Sequence, residues 1–375
     1  MNYDSRYSEL DWLRVILIFA VFLHHVLMPF NGDDWHIMNT ESSKLLDDIM
    51  VYFEQFRLPT LFFISGAGCV ILLSKISVKQ FFKDKFTRLF IPLLVGSLLI
   101  IPPQTYIENI NELASFWQAY PALALKLELN HLWFIEYLIA FSVISIPINA
   151  MFQSRLGQGV VSIIAKISQL KIGLLCLVVI LIFIKIFFSI YFPSDGHKIE
   201  NLSSSSYYFF FFVSGMLFIR STTIWQAIRN QRRINLFALV VFSALFYAYY
   251  YSPDLSEYLS LNVRWGIWWL VCCLVAWSAL LSMLGYAQHY LTVTPNWLKE
   301  SNQLIYPFYI LHQTVIVVIG YFIISLNSSI PIKILLLFTV SFFVTSTICL
   351  WVIKPFNLTR VLFGLKVIKS IRNIK

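Results

Sequence analysis

Apolar runs of about twenty residues recur along the chain, and the polar and charged residues collect in the short stretches between them. A run of that length crosses the hydrocarbon core of a bilayer as a helix. The candidate spans fall at 12–31, 49–74, 87–104, 131–152, 172–192, 207–220, 234–251, 264–284, 303–326 and 332–353. The sixth is the shortest. The pattern predicts an all-α integral membrane protein with about ten transmembrane helices, and residues 1–375 read as a single membrane domain. The first apolar run starts at Leu13 and is followed by no small-residue cleavage site, so it reads as a permanent span and not a signal peptide.

Composition excludes a soluble protein. The chain is 58% hydrophobic and only 13% charged, too apolar to cover a water-facing surface. A net charge of +9 would suit a nucleic-acid binder, but the placement of the charges gives them another purpose. With the N-terminus in the cytoplasm, Lys75, Lys79, Lys83, Lys85 and Arg88 follow span two, and Arg155, Lys166 and Lys171 follow span four. Arg220, Arg229, Arg232 and Arg233 follow span six. Residues 354–375 form a basic cytoplasmic tail with Lys354, Arg360, Lys366, Lys369, Arg372 and Lys375. The opposite loops hold only Lys44, Lys126, Lys198 and, at a span edge, Arg264. They also hold the acidic residues Asp33, Asp34, Glu41, Asp47, Asp48, Glu108, Glu112, Glu128, Asp195, Glu200, Asp254 and Glu257. One frame sorts nearly every charge by the positive-inside rule, so both termini are expected in the cytoplasm. The basic residues set topology and meet lipid headgroups; no nucleic-acid partner is expected. The long outer loop 105–130, with Trp117, Tyr120 and Pro121, suits the membrane interface. Cys69, Cys176, Cys272, Cys273 and Cys349 lie in apolar runs without metal-ligand spacing, so they read as packing residues and no metal is expected.

Ionisable groups inside a bilayer are costly and mark function by default. Span one carries Asp11, Arg14, His24 and His25. From Arg14 to His25 a helix turns about 1,100°, or three turns and roughly 20°, so the two share a face about 16 Å apart. His24 points about 80° away from Arg14. Asp11 stands three residues before Arg14 and can pair with it. Arg57 on span two and His131 at the start of span four lie at an outer depth like that of His25, so the three are expected to converge. Trp35 and His36 follow on the same side, and Trp133 adds an aromatic surface or an interface anchor. His312 on span nine sits near the membrane middle. Lys85 and Arg88 lie on the side of Arg14. Lys185, with no partner in view, is expected to snorkel to the headgroups.

A basic inner mouth, a polar stripe on one helix and an outer histidine suit a donor from the cytoplasm and an acceptor outside. A neutral histidine takes a hydroxyl proton as general base. Arginines hold phosphates or polarise carbonyls. No phosphate-loop, dinucleotide, zinc or nucleophile-elbow motif is present. A proton-coupled transporter or flippase would use the same residue types, and both readings stand on the residues alone.

Six stretches carry a resemblance. They are Leu10-Asp11-Trp12-Leu13-Arg14-Val15 through His24-His25; Asp34-Trp35-His36-Ile37; and Phe56-Arg57-Leu58-Pro59-Thr60-Leu61-Phe62-Phe63-Ile64-Ser65-Gly66. Arg88-Leu89-Phe90-Ile91-Pro92, His131-Leu132-Trp133-Phe134 and Tyr306-Pro307-Phe308-Tyr309-Ile310-Leu311-His312-Gln313 complete them. In this order the chain resembles the acyltransferase-3 family of bacterial membrane acyltransferases, and within it the glucan biosynthesis protein C subgroup. The resemblance implies an O-acyltransferase of the bacterial plasma (inner) membrane. It would move an acetyl or succinyl group from cytoplasmic acyl-CoA to a hydroxyl of an extracytoplasmic glycan or other alcohol. Acyl-CoA is then a co-substrate, and no bound cofactor is expected. The family's arginine–histidine pair falls on Arg14 and His25, which become the expected catalytic residues. Arg14, Lys85 and Arg88 would bind acyl-CoA. Trp35, His36, Arg57, His131 and Trp133 would line the acceptor side, with Asp11, Ser65, Tyr306 and His312 in support. Transfer would run directly or through an acyl-histidine.

Overall fold

A computed structural model describes residues 7–193, 196 and 198–368. Asp195 of the outer loop, and Lys369, Arg372 and Lys375 of the basic tail, lie outside the described residues. Among the described residues the chain is helical throughout, without strands. Nine helical stretches among the described residues are long and apolar enough to cross a membrane: Ser8–Phe30, Lys44–Leu73, Val78–Glu108, Phe116–Gln153, Gly173–Tyr191, Arg232–Tyr250, Leu261–Tyr290, Asn296–Ile324 and Ile330–Ile353. The short sixth run of the sequence is the exception. It becomes a pair, Leu202–Phe218 and Thr222–Asn230, bent by 109° at the break, which makes ten spans if the pair counts as one. The bend has a local cause. Ser221 accepts a hydrogen bond from the Ile224 amide at 3.4 Å and starts a new helix there.

The helices are numbered in chain order. The first two are α1 Ser8–Leu27 and α2 Lys44–Leu73. The third span is broken into α3 Val78–Lys85, α4 Ile91–Val95 and α5 Pro102–Glu108, joined by π-helical turns at Phe86–Phe90 and Gly96–Ile100. The fourth runs through α6 Phe116–Leu125 and α7 Trp133–Gln153, and α8 Arg155–Ser168 follows it. Next come α9 Gly173–Cys176, α10 Val178–Tyr191, α11 Leu202–Phe218, α12 Thr222–Asn230, α13 Arg232–Tyr250 and α14 Leu261–Tyr290. The last are α15 Asn296–Ile324, α16 Ile330–Thr347 and α17 Asn357–Leu362.

The chain divides into two compact units. One takes the chain up to Leu17, Phe53–Phe81 and Ala140–Pro295; the other takes Ile18–Tyr52, Phe82–Ile139 and Asn296–Lys375. In the first unit, the fully buried Trp277 donates from Nε1 to the Leu174 carbonyl at 2.8 Å, with Phe210, Phe211 and Phe218 around its ring. Helices α2 and α11 approach closely through glycines. A Cβ on Gly66 would run into the carbonyl oxygen of Phe212, and one on Gly215 into that of Phe63. Lipid offers apolar side chains no advantage in pairing, so such small-residue contacts hold membrane helices together.

The same unit corrects the expectation for Lys185. It does not snorkel. Its side chain is 6% exposed, and Nζ donates to Ser203 Oγ at 2.9 Å and stands 3.9 Å above the Trp269 ring. A hydroxyl and an aromatic face replace the headgroups as surroundings for the cation. In the second unit, Phe22, Val26 and Phe30 pack with Phe308, Leu311, Ile316, Leu337 and Cys349 into one core. Four of the five cysteines are buried and all are free thiols, whereas Cys176 is exposed.

Replacing Gly66 or Gly215 with Val forces α2 and α11 apart. We expect each to lower the melting temperature of the purified protein by several degrees, consistent with the roughly 1–3 kcal/mol cost of overpacking. Glycine at position 68, where a Cβ meets nothing within 4 Å, should tolerate alanine. Fluorescence-detected size-exclusion after heating measures all three.

Candidate functional site

The site lies in the unit formed by Ile18–Tyr52, Phe82–Ile139 and Asn296–Lys375. Three histidines meet there. His25 stands near the end of α1, His131 in the tight turn Asn130–Leu132 that leads into α7, and His312 on α15. Ring centroids are 4.9 Å apart for His25 and His312, 5.2 Å for His131 and His312, and 6.4 Å for His25 and His131. The turn before α7 uses two left-handed residues, Leu127 at φ 50° and Asn130 at φ 39°. Asparagine tolerates that conformation; leucine seldom adopts it.

The hydrogen bonds fix where the protons sit. His312 Nδ1 lies 2.6 Å from the Tyr309 carbonyl, which can only accept, so Nδ1 carries the hydrogen. In neutral His312, Nε2 is then the acceptor. His25 Nδ1 stands 2.7 Å from it and must donate. The remaining lone pair of neutral His25 therefore stands on Nε2. The backbone of α15 thus sets the tautomer of His25 through His312, as an orienting group does for a basic imidazole. His131 is held in the same manner. Its Nε2 donates to the Ile310 carbonyl at 3.1 Å, and its own carbonyl accepts from the Tyr309 hydroxyl. That leaves a buried lone pair on His131 Nδ1 with no hydrogen-bond partner among the described residues. His312 and His131 are buried, 1% and 6% exposed, whereas His25 is partly open. Trp35 lies parallel to the His25 ring, offset at 6.2 Å with 8° between the planes.

A second chain of hydrogen bonds runs beside the histidines. The Gln313 amide donates to His36 Nε2 at 3.0 Å and to Gln104 Oε1 at 3.1 Å. The Gln104 amide donates to Thr314 Oγ1 at 2.6 Å, and Thr314 donates to the Ile100 carbonyl at 2.7 Å. Asn130 adds a donor to Gln104 Oε1 at 3.1 Å. Because His36 accepts at Nε2, its Nδ1 carries the hydrogen and donates to Glu108 at 2.6 Å. Glu108 is 46% exposed and ends the chain at the rim.

The remaining residues singled out in the sequence are distributed as follows. Arg88 lies in the π-helical turn after α3, one turn beyond Lys85, with Nε donating to the Gly364 carbonyl at 3.2 Å. Tyr306 belongs to the same unit on α15, and Trp133 begins α7 with its ring against Phe134 and Tyr137. Arg14 and Asp11 belong to the other unit and pair at 3.6 Å on α1, the unbroken helix that also carries His25. Arg57 and Ser65 also belong to that other unit. Arg57 is buried with Nε donating to the Phe53 carbonyl at 3.1 Å, and Ser65 donates to Leu61 of its own helix at 2.8 Å. His131 and Trp35 therefore stand against the His25 ring, and His36 meets Trp35 and Gln313 beside them. His312, expected only in support, is the group that hydrogen-bonds His25. Sequence reasoning missed Gln104, Glu108, Asn130 and Thr314. Gln104 left a usable signal, an amide inside an otherwise apolar span behind Pro102 and Pro103.

Comparison with known proteins gives a family. The family model for an acyltransferase domain of the acyltransferase-3 type matches residues 7–354. Curated relatives include proteins named "Glucans biosynthesis protein C" from Salmonella paratyphi B, Salmonella heidelberg and Salmonella agona. Each is 28% identical over 153 residues, covering 39% of this chain and 40% of the relative. The matched stretch thus spans well under half the length of these relatives. No solved structure matches.

Gln104 partners Gln313, Thr314 and Asn130 at once. Gln104→Leu takes a partner from each: Asn130 loses the bond described above, while Gln313 keeps His36 and Thr314 keeps the Ile100 carbonyl. We expect a fall of several degrees in melting temperature, in line with about 1–3 kcal/mol for each buried group left unpaired. Glu108→Gln keeps a hydrogen-bonding group at the rim and should melt as the unmodified protein does. Thermal unfolding of the purified variants decides it.

Proposed function

The chain belongs to the acyltransferase-3 family and is a multi-pass membrane acyltransferase, and on that premise we propose that it carries an acetyl or succinyl group from cytoplasmic acyl-CoA to a hydroxyl of a glycan outside the bacterial plasma membrane. The observation that carries this reading is the hydrogen-bond relay from the Tyr309 carbonyl through His312 to His25. It leaves the basic lone pair on His25 Nε2, the state a general base for an alcohol requires.

The proposed reaction is direct. The acceptor hydroxyl gives its proton to His25 Nε2 as its oxygen attacks the thioester carbonyl. A C–O bond forms, the C–S bond breaks, and the thiolate leaving group takes the proton from His25 to become CoA thiol. The imidazolium formed midway keeps its Nδ1 hydrogen on His312. The unpartnered lone pair of His131 Nδ1 suits a second hydroxyl of the acceptor, and Trp35 offers a flat face for a sugar ring. His36 and Glu108 extend that polar surface. The charge asymmetry of the loops gives the orientation: the Arg14 end of α1 and the basic residues Lys85 and Arg88 on the cytoplasmic side, where the phosphates of CoA bind, and His25 toward the outer face. Arg14 stands three turns along α1 from His25, in reach of the pantetheine arm. The name of the curated relatives favours a glucan as acceptor.

The purified enzyme incubated with acyl-CoA and glycan should release CoA thiol. His25→Ala should reduce that release at least a hundredfold, the weight of a lost general base, and His24→Ala should change it little. His312→Gln retains an acceptor oxygen for His25 and should keep more activity than His312→Leu. Wild-type rates of CoA release from His25→Ala would sink the reading, as would persistence of normally acylated surface glycan in cells carrying it.

A further inference from the structure

The segment after the last long helix is tied down in a way that reaches the donor end of the site. Helix α17 closes with its chain reversal at Gly364, φ +75°. The Gly364 amide bonds the Val361 carbonyl at 3.2 Å and the Leu365 amide bonds the Arg360 carbonyl at 2.7 Å, the pair of bonds that ends a helix on a left-handed glycine. Leu365 then buries its side chain in the core of this unit. The returning segment is fastened twice. Arg360, itself buried, donates from Nε to the Lys366 carbonyl at 2.6 Å and from an Nη to the Lys354 carbonyl at 2.8 Å. Asn357 exchanges two hydrogen bonds with the backbone of Ile368, at 2.8 and 3.2 Å. Residues 357–368 thus form a closed strap. They lie beyond residues 7–354, so the family likeness does not describe them.

The strap touches two groups. The Gly364 carbonyl takes the Nε hydrogen of Arg88 at 3.2 Å. This spends the inner nitrogen of the guanidinium on backbone and fixes the plane in which its terminal nitrogens lie; one of them stands 3.6 Å from an Asp84 carboxylate oxygen, and the side chain remains 45% exposed. The Tyr306 ring lies against Gly364 so closely that an added Cβ would stand 2.5 Å from Tyr306 Cε1 and 2.7 Å from the Arg88 carbonyl oxygen. The Tyr306 hydroxyl is buried and has no hydrogen-bond partner among the described residues. An arginine with its fork oriented and a phenol hydroxyl with nothing to bond are the complement of a phosphoryl oxygen.

We infer that the strap 357–368 is a positioning element of the donor site, holding Arg88 and Tyr306 in the arrangement that binds the phosphoryl groups of CoA. The inference rests on the reading of Arg88 as a donor-binding residue. The strap touches no reacting atom; its contribution is to remove the freedom of a long side chain before the ligand arrives, which lowers the entropic cost of binding. Gly364 is required at the reversal for two reasons, its left-handed backbone and its contact with Tyr306 and Arg88.

The test is the affinity of the full-length purified enzyme for CoA itself, measured by calorimetry, since the phosphates are common to every acyl-CoA. Arg88→Ala should weaken binding about tenfold, the range for a charge-assisted hydrogen bond. Gly364→Ala should weaken it to a similar degree, and adding it to Arg88→Ala should cost clearly less than it does alone, because the two share the guanidinium and only the Tyr306 contact is left to lose. Asn357→Ala lies on an exposed residue, where folding is not at risk, and should loosen the strap for a few-fold loss. If Arg88→Ala binds CoA as tightly as the unmodified enzyme, the donor-site reading itself fails. If Arg88→Ala weakens binding while Gly364→Ala and Asn357→Ala do not, the strap has no positioning role and the inference is overturned. Full additivity of Gly364→Ala and Arg88→Ala would overturn it equally.

Discussion

A polar side chain inside a bilayer has no water to return to, so leaving one without a partner in the protein is costly. That constraint organises the unit holding His25. The histidines do not stand as isolated polar groups in a greasy interior. His25, His36, His131 and His312 are each bonded to a backbone carbonyl, an amide or another imidazole, and those bonds are directional. Because a carbonyl can only accept, one bond at Tyr309 decides the tautomer of two imidazoles in series. The same reasoning, run from Gln313, settles the state of His36. The order needed to keep these groups from being costly is the order that leaves the lone pair of neutral His25 on Nε2.

The orienting partner of His25 is a neutral imidazole and not a carboxylate. A carboxylate would stabilise the imidazolium more strongly, but it would have to be kept ionised in an apolar surround at a far higher desolvation cost. His312 is 1% exposed, among Phe22, Phe308 and Tyr309. In that setting the neutral partner is the one compatible with a stable helix. The acidic side chain of the network, Glu108, stands at its outer end and is 46% exposed.

Much of this was legible in the residues. Runs of apolar side chains predicted the spans, because twenty such residues have no other stable surroundings. The fixed pitch of a helix put Arg14 and His25 on one face, and α1 is indeed unbroken. What the sequence did not show was contact between distant helices. Nothing local to His312 says that it meets His25, because the approach of α15 to α1 depends on the packing of Phe22, Phe308 and Leu311 as a set. Gln104 was passed over because an uncharged amide looks innocuous beside arginines and histidines, yet it has the most partners in the network. Lys185 was misread since headgroup contact is the default for a lysine with no acid near it in sequence. Ser203 and Trp269, from two other helices, supply what the headgroups would have supplied.

The division of the chain into two units has a consequence for biogenesis. Neither unit is continuous: the one with His25, His131 and His312 draws on three separate stretches of the chain. His25 and His312 are 287 residues apart. At about 5–20 residues per second, the ribosome takes roughly a quarter of a minute to a minute to deliver the second after the first. Through that interval the opening helix waits in the insertion machinery or the lipid with its imidazole unanswered. The half-made enzyme is then a natural client for membrane chaperones, and a nascent chain stalled before α15 should be an early target for proteolysis.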